Sequence, residues 1–401
     1  MYLTFLQLDN FRNYQKLVLE LSTGPVLLCG DNAQGKTNLL EAIYFLATTR
    51  SSFARSERQV INWETLESDP MPYARIEGHL RRRDGQTRVD MTILPNENGH
   101  TRKEMRINGA KKRALDVIGQ LNAVLFLPED IDLVTGAPSS RRRYLDVTLC
   151  QIDPKYCRTL SLYNQTITQR NALLKQLGER RGDLDELLFW DEHLSDYGAA
   201  LIVTRRDTMA ELDRLARSRY HQLTDEAEHL RLYYAPSFDP DQRPPLDYQR
   251  PLLLEDMWNG GPPPLSQEEV AAAFATELRR VRREEVARGV TVVGPHRDDI
   301  HFLVDGIDMN LYGSRGQQRT TALTLKLAEM DLMTRVTGES PVLLLDDVMS
   351  ELDARRRARV ITMVDGVEQL LLTSTDWSDF SDDFLARACS WEVVAGEIRQ
   401  H

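Results

Sequence analysis

An α/β fold built on a mixed sheet and interrupted by a helical insertion is predicted by three observations. A short apolar run, Pro25–Cys29, leads into a glycine-rich loop and then a segment with Leu39, Leu40, Ile43, Tyr44 and Leu46 on one side. Near the other end of the chain a second apolar run, Val342–Leu345, stops at two carboxylates, Asp346 and Asp347. Between them, from Pro138 to about Gly289, apolar residues recur at helical spacing.

Residues 1–30 read as strands, because Tyr2–Leu8 alternates and Pro25–Cys29 is short and continuously apolar. Gly35–Ala47 reads as a helix. Residues 73–108 read as antiparallel strands with turns at Asp84-Gly85 and around Asn96–Gly99. Leu121–Leu127 is a further strand, closed by Pro128. In the insertion, Tyr156, Leu160, Tyr163 and Ile167, then Leu174 and Leu177, keep a helical stripe that Trp190, Leu194, Tyr197 and Leu201 repeat. These stripes suit a helical hairpin packed side by side, and packing on an ordinary core accounts for them equally well. A proline-rich stretch, Pro236–Pro264, precedes a helix over Ser266–Arg288, and strands are expected to return at Thr291–Val293. The expected division is 1–137, 138–289 and 290–401, in keeping with the two or three domains that 401 residues allow.

No apolar run approaches the roughly 20 residues needed to span a bilayer, and Met1–Tyr14 lacks a basic-then-apolar leader pattern. A soluble, cytoplasmic protein with no membrane partner is expected. Cys29, Cys150, Cys157 and Cys389 form no C-x-x-C pair, which argues against a zinc site or a disulfide framework. The net charge of −11 argues weakly against nucleic acid, but local patches decide that question. Arg81–Arg83, Lys111–Arg113, Arg141–Arg143 and Arg279–Arg283 are such clusters; each is either a solvated face or a phosphate contact.

The loop Gly30-Asp31-Asn32-Ala33-Gln34-Gly35-Lys36-Thr37 is a complete G-x-x-x-x-G-K-[ST] motif, placed after a strand and at a helix start. Glycine lets backbone N–H groups wrap phosphates, and a helix N-terminus favours an anion. Lys36 is expected to reach the β- and γ-phosphates of ATP and the Thr37 hydroxyl to ligate Mg2+, with Gly30 through Asn38 forming the nucleotide cradle. A buried strand ending in Asp346 and Asp347 supplies the second half: Asp346 for the metal, Asp347 to orient or deprotonate water. Lys36 and Asp347 are thus the expected catalytic residues. An acidic helix N-cap would also explain the two aspartates, but less well beside the glycine loop.

A third motif, Gly313-Ser314-Arg315-Gly316-Gln317-Gln318, opens a helix running to about Val336. Ser314 can cap that helix, whose first N–H groups form an anion site. The order of glycine loop, insertion, S-x-G-Q, acidic strand and Ser350-Glu351-Leu352-Asp353 is the layout of split ABC-superfamily heads. The expected fold is therefore an α/β ABC-type P-loop ATPase head, with a mixed sheet as lobe I, a helical second lobe and a short helical arm. Four departures from the transporter pattern stand out. Arg315 replaces a signature glycine, Asp347 is one methylene shorter than glutamate, and Thr375 occupies the switch-histidine position. Pro128-Glu129-Asp130 stands where a glutamine is usual. They predict slow hydrolysis, with ATP acting more as a switch than as fuel.

Seven segments carry a more specific resemblance: Asn10–Tyr14, Gly30–Ile43, Phe126–Asp130, Pro138–Arg143, Gly294–Asp299, Ser314–Arg319 and Asp346–Asp353. In this order they resemble the RecF family of bacterial DNA replication and repair proteins. The resemblance implies an ABC-type ATPase related to SMC heads that dimerises on binding ATP and binds DNA at gaps and single-strand–double-strand junctions. It also implies work with RecR and RecO, and indirectly RecA, which they load. Ser314, Arg315, Gly316 and Gln317 would then face the γ-phosphate held by Lys36 of a second copy. A weak DNA-dependent ATPase is implied.

A transporter subunit would place a histidine where Thr375 stands and a glutamate where Asp347 stands. A long SMC-like clamp needs heptad arms, and the insertion holds only short helices. A metabolic kinase would not need S-x-G-Q. Two residues stay open at this point: Arg12 is either a nucleotide contact or a surface arginine, and His296 either caps a turn after Pro295 or relays the dimer state.

Overall fold

The structure, a computed structural model, describes residues 1–96, 101–179, 181–224, 228–240 and 264–400. The chain starts with a hairpin of β1 (Tyr2–Phe11) and β2 (Tyr14–Glu20), whose tight corner sets Asn10 and Arg12 at φ 51° and 54°. Then β3 (Gly24–Cys29) buries four consecutive residues, the pattern of a strand covered on both faces. The Lys36–Thr48 helix follows. Next come β4 (Ala74–Arg82), β5 (Gly85–Pro95), β6 (Thr101–Ile107) and β7 (Ala110–Lys112), each antiparallel to the last. Most of the turn expected at Asn96–Gly99 lies outside the described residues. β8 (Ala123–Phe126) ends this first stretch.

The insertion carries helices at Pro138–Ile152, Pro154–Gly178, Glu186–Thr224 and Gln267–Arg288, and the expectation of short helices only is corrected by the 39 residues of Glu186–Thr224. The expected start of the last is correct, since Ser266 caps it by accepting from Glu269 N–H. Most of the proline-rich stretch lies outside the described residues. The expected hairpin and the expected core are both present: Leu173, Leu174 and Leu177 meet Leu187 and Trp190, and Val286 of the Gln267–Arg288 helix joins them. The stretch is not purely helical. It holds β9 (Leu230–Ala235), which pairs with β10 (Asp299–Val304), and β10 pairs in turn with β11 (Ile307–Asp308).

The expected strand at Thr291–Val293 is absent, for a physical reason. The Thr291 N–H is taken by Asn171 Oδ1 at 2.8 Å and the Val292 N–H by Glu285 Oε1 at 3.0 Å. Side chains have consumed the donors that a β ladder would need. After the Arg315–Thr337 helix come β12 (Val342–Leu345), β13 (Gln369–Ser374), β14 (Cys389–Val394) and β15 (Glu397–Gln400).

Two compact units result, divided elsewhere than at residues 137 and 289. The first comprises Met1–Asp130, Cys150–Pro154 and Lys326–His401; the second comprises Ile131–Leu149 and Lys155–Leu325. Residues 290–325, expected with the C-terminal head half, join the second unit because β10 pairs with β9 there. The first unit holds an antiparallel sheet, β2-β1-β4-β5-β6-β7, and a mixed sheet, β15-β14-β3-β13-β12-β8, parallel except for β15. Leu39, Leu40 and Ile43 of the Lys36–Thr48 helix share one core with Leu3, Ile76 and Met91 of the first sheet and Val26, Leu344 and Leu371 of the second. Among the described residues no helix is long and apolar enough to cross a membrane.

The second unit is held by two buried arginines. Arg170 donates to Asp191 at 2.9 Å, Thr291 at 2.8 Å and Glu285 at 2.6 Å, tying three helices to the segment after them. Arg205 donates to the Tyr156 hydroxyl at 2.9 Å, Asp146 at 2.7 Å and the Pro295 carbonyl at 2.6 Å, and pairs with Asp298 at 3.2 Å. Next to it, His296 Nε2 donates to the Thr291 carbonyl at 3.2 Å, so Nδ1 accepts from the Tyr163 hydroxyl at 2.8 Å. That neutral tautomer is enforced. Burial, with the Arg297, Arg142 and Arg205 charges nearby, lowers the His296 pKa from 6.5 to about 4 despite the Thr291 bond.

His296 is thus a structural residue of the turn. Its unfolded form takes a proton first, so its contribution to stability is full above about pH 6.5 and lost as pH falls towards 4. His296→Gln should flatten the pH dependence of the unfolding midpoint by about 2 kcal/mol between pH 6.5 and 5. Parallel pH curves for the two proteins would refute this.

Candidate functional site

The loop Gly30–Thr37 leaves β3 at its carboxyl end; β13 lies next to β3 in the sheet, and β12 lies beyond β13. Ligand sites of open α/β sheets form at such strand ends. Two glycines are needed here. At Gly30 a Cβ would lie 2.3 Å from the Val393 carbonyl oxygen. Gly35 has φ 116°, and a Cβ there would meet Asn13 at 2.5 Å and the Tyr14 hydroxyl at 3.0 Å.

The loop is braced from two sides. Tyr14 donates its hydroxyl to the Gly35 carbonyl at 2.9 Å, and Asn13 Nδ2 donates to the Gln34 carbonyl at 3.0 Å. Asn38 in turn donates to Asn13 Oδ1 at 2.8 Å. From the β14–β15 turn, Ala395 N–H donates to Gln34 Oε1 at 2.6 Å and Gly396 N–H to the Gln34 carbonyl at 3.0 Å. Asp31, Asn32 and Ala33 stay exposed. No side chain caps the helix that starts at Lys36, and no acidic residue sits in its first turn. Its first N–H groups are therefore suited to an anion.

Lys36 is buried, and its ammonium donates to the carbonyls of Gly30 and Asp31, the latter at 2.8 Å. Burial pushes its pKa down, opposed chiefly by Asp347, with Cys29, Asp346 and Asp31 adding to the opposition. Asp346 follows β12 and is also buried; burial raises its pKa, while hydrogen bonds from Thr37 and Thr373 oppose that rise. The four expected residues Lys36, Thr37, Asp346 and Asp347 are thus brought together in the first unit. Asp347 adopts φ 49°, rare for a residue with a Cβ. Its Oδ1 is buried without a hydrogen-bond partner, the kind of orphan that marks a functional group.

The third motif belongs to the second unit. Ser314 Oγ accepts from Gln317 N–H at 3.3 Å, and Gln317 Oε1 accepts from Ser314 N–H at 3.1 Å, a reciprocal cap. Gln317 Nε2 also donates to Glu228 at 2.8 Å. Ser314, Arg315 and Gly316 are exposed.

Arg12 is half-buried and bound, not a free surface arginine. Its guanidinium makes a two-pronged pair with Glu41, both contacts at 2.8 Å, and donates to the Gln59 carbonyl at 2.9 Å. Glu41 is buried in the Lys36–Thr48 helix, so Arg12 neutralises it. The Arg141–Arg143 cluster is not a free phosphate-binding run either. Arg141 is buried on Asp299 at 2.6 and 2.9 Å, and Arg142 donates to the Asp298 carbonyl at 2.7 Å. Arg82, Arg113, Arg280 and Arg282 are paired with Glu339, Asp116, Glu277 and Asp191. Arg81, Lys112, Arg279 and Arg283 remain exposed.

Thr375 is exposed just beyond β13. Sequence reasoning missed Thr373, two residues earlier, whose hydroxyl touches both aspartates of the site. Its signal was that it is the first hydroxyl after the apolar run Leu370–Leu372. Where a glutamine is usual, Asp130 accepts from Leu127 N–H at 2.7 Å and lies 3.9 Å from Lys326; burial raises its pKa to about 6.

The family model described as RecF/RecN/SMC N terminal domain matches residues 2–382. The DNA replication and repair protein RecF of Chloroflexus aurantiacus is 43% identical, with 99% of each chain covered. That of Roseiflexus castenholzii is 42% identical with the same coverage. A solved structure described as the recombination mediator protein RecF-ATP in the RecFOR pathway superposes with TM-score 0.84 at 32% identity, covering 100% of this chain and 97% of that one. An Smc head domain from Pyrococcus furiosus, bound to the C-terminal domain of ScpA, superposes with TM-score 0.51 at 15% identity, a likeness of fold. Fold and motifs define an ABC-type P-loop head of the SMC class. The chain belongs to the RecF family of DNA replication and repair proteins.

Proposed function

We propose that this chain is an ATP-controlled, DNA-binding switch of recombinational repair. The observation that carries the reading is the convergence of Lys36, Thr37, Asp346 and Asp347 on one braced loop at strand ends of a single sheet, in a chain of the RecF family. The residues present fit ATP with Mg2+: the glycines admit close backbone approach, the helix start is uncapped, and Asp347 Oδ1 lacks a partner. Thr37 and Asp346 would hold Mg2+, which commonly takes one or two protein ligands and completes its shell with phosphate and water. Bound ATP supplies a transferable γ-phosphoryl group. Lys36 neutralises phosphate charge, and Asp347 orients the water. The short Asp347 carboxylate and the lack of an imidazole at Thr375 support slow hydrolysis that resets the switch.

The exposed Ser314–Gln317 helix start supports the second half of the reading, in which it meets the γ-phosphate of a second copy. ATP then assembles a homodimer that binds DNA at gaps and junctions in the cytoplasm. In this reading RecR and RecO act with it to load RecA, as the RecFOR-pathway relative suggests. The exposed Arg81, Lys112, Arg279 and Arg283 are among the basic residues available to track phosphates, with a steep salt dependence. Sedimentation and gapped-DNA affinity, each with and without ATP at two salt concentrations, test this. If ATP changes neither mass nor affinity, the reading is wrong.

Ser314→Arg should leave ATP binding by the monomer within about twofold of wild type, because the residue lies in the other unit from the loop. It removes the helix cap, a loss of about 1 kcal/mol locally, and places a bulky cation at the helix start. ATP-induced dimers should disappear in sedimentation, and their persistence would count against the shared site.

A further inference from the structure

The group that links the two aspartates of the site belongs to neither motif. β12 and β13 run parallel with Leu345 opposite Leu372, so the residue after Leu372 lies beside the residue after Leu345. That residue is Thr373, which is 1% exposed at the end of a fully buried strand. A threonine hydroxyl has one hydrogen to give and lone pairs to accept with. Here the hydrogen goes to Asp346 Oδ1 at 2.8 Å, and a lone pair accepts the Asp347 N–H, also at 2.8 Å. The second contact holds the backbone of a residue at φ 49°, whose side chain keeps a buried, unpartnered oxygen. The turn is closed from the other side by Ser350, which donates its hydroxyl to the Asp347 carbonyl at 2.8 Å. Valine has the shape of threonine, so packing alone does not require a hydroxyl in this apolar strand.

We propose that Thr373 is a positioning residue for ATP hydrolysis, its hydroxyl tying the Asp346 carboxylate to the Asp347 backbone so that metal ligand and water-orienting group are set together. This rests on the reading above, in which Asp346 serves the metal and Asp347 the water. Without the hydroxyl, Asp346 loses the donor that fixes its carboxylate, and the Asp347 turn loses its anchor. The two aspartates are then no longer set together, and Mg2+ binds less readily.

The test compares full-length wild type, Thr373→Val, Thr373→Ser, Thr373→Ala and Lys36→Met. The readouts are affinity for a fluorescent ATP analogue, kcat and KM with DNA, and the Mg2+ concentration for half-maximal rate. Thr373→Val should bind the analogue within about threefold of wild type. Its kcat should fall at least about tenfold, with a higher Mg2+ requirement. Thr373→Ser, which keeps the hydroxyl, should restore most of the rate. If Thr373→Val does not fold, Thr373→Ala should show the same split between kcat and affinity.

Wild-type rate and Mg2+ requirement in the hydroxyl-free variant, or equal losses in the serine and hydroxyl-free variants, overturn the assignment. If instead wild-type turnover does not exceed that of Lys36→Met, the hydrolytic reading beneath it fails.

Discussion

Lys36→Met should weaken ATP binding by roughly a hundredfold while leaving the fold intact. The ammonium sits among backbone carbonyls, with Asp347 the carboxylate that most opposes the effect of its burial. Removing one partner of a buried, hydrogen-bonded charge pair costs about 2–5 kcal/mol, and about 3 kcal/mol corresponds to that hundredfold loss. Burial already disfavours the charged form of this lysine, so methionine, of similar length and apolar, should be tolerated in the unliganded protein. Calorimetric titration with ATP and Mg2+, next to a thermal melt, separates the two effects. Lys36→Arg keeps the charge but presents a planar fork instead of a compact ammonium, and should recover only part of the affinity. Undiminished ATP affinity in Lys36→Met would remove the cradle from the argument.

The second large effect concerns stability. Arg170→Leu leaves Asp191 and Glu285 buried without their shared counter-ion, although Arg282 still reaches Asp191 at 2.8 Å. Breaking a buried pair from one side typically costs about 3–5 kcal/mol, because the remaining charges stay desolvated. The urea transition of the second unit should move down accordingly. Adding Glu285→Gln and Asp191→Asn to Arg170→Leu should recover part of the loss, since neutral partners remove the stranded charge. A shift under about 1 kcal/mol for Arg170→Leu would mean that water or rearrangement already satisfies the two carboxylates.

What the sequence made legible was local. The glycine loop, the helix it starts, the acidic strand end and the Ser314 cap each depend on residues within a few positions of one another, and each is present. What escaped depends on neighbours across a sheet or between helices. Thr373 acquires its role from the register of β13 beside β12. Asn13 and Tyr14 stood in a segment already singled out, but only the fold brings them beneath Gln34 and Gly35. Thr291–Val293 has strand-like residues, yet Asn171 and Glu285 claim its donors. The Arg141–Arg143 run looks the same whether it faces solvent or the distant Asp298 and Asp299. β9 alternates through Leu230, Leu232 and Tyr234, a signal swallowed by the helical stretch around it.

The strand that carries the glycine loop takes both of its sheet neighbours, β13 and β14, from residues 369–394, and the turn beyond them bonds Gln34 across a sequence separation of 361. During synthesis, then, the first motif to leave the ribosome is among the last to acquire its working shape. Translation of the intervening chain precedes any nucleotide competence, and until then the apolar β3 segment has unmatched edges that invite wrong pairing or chaperone capture.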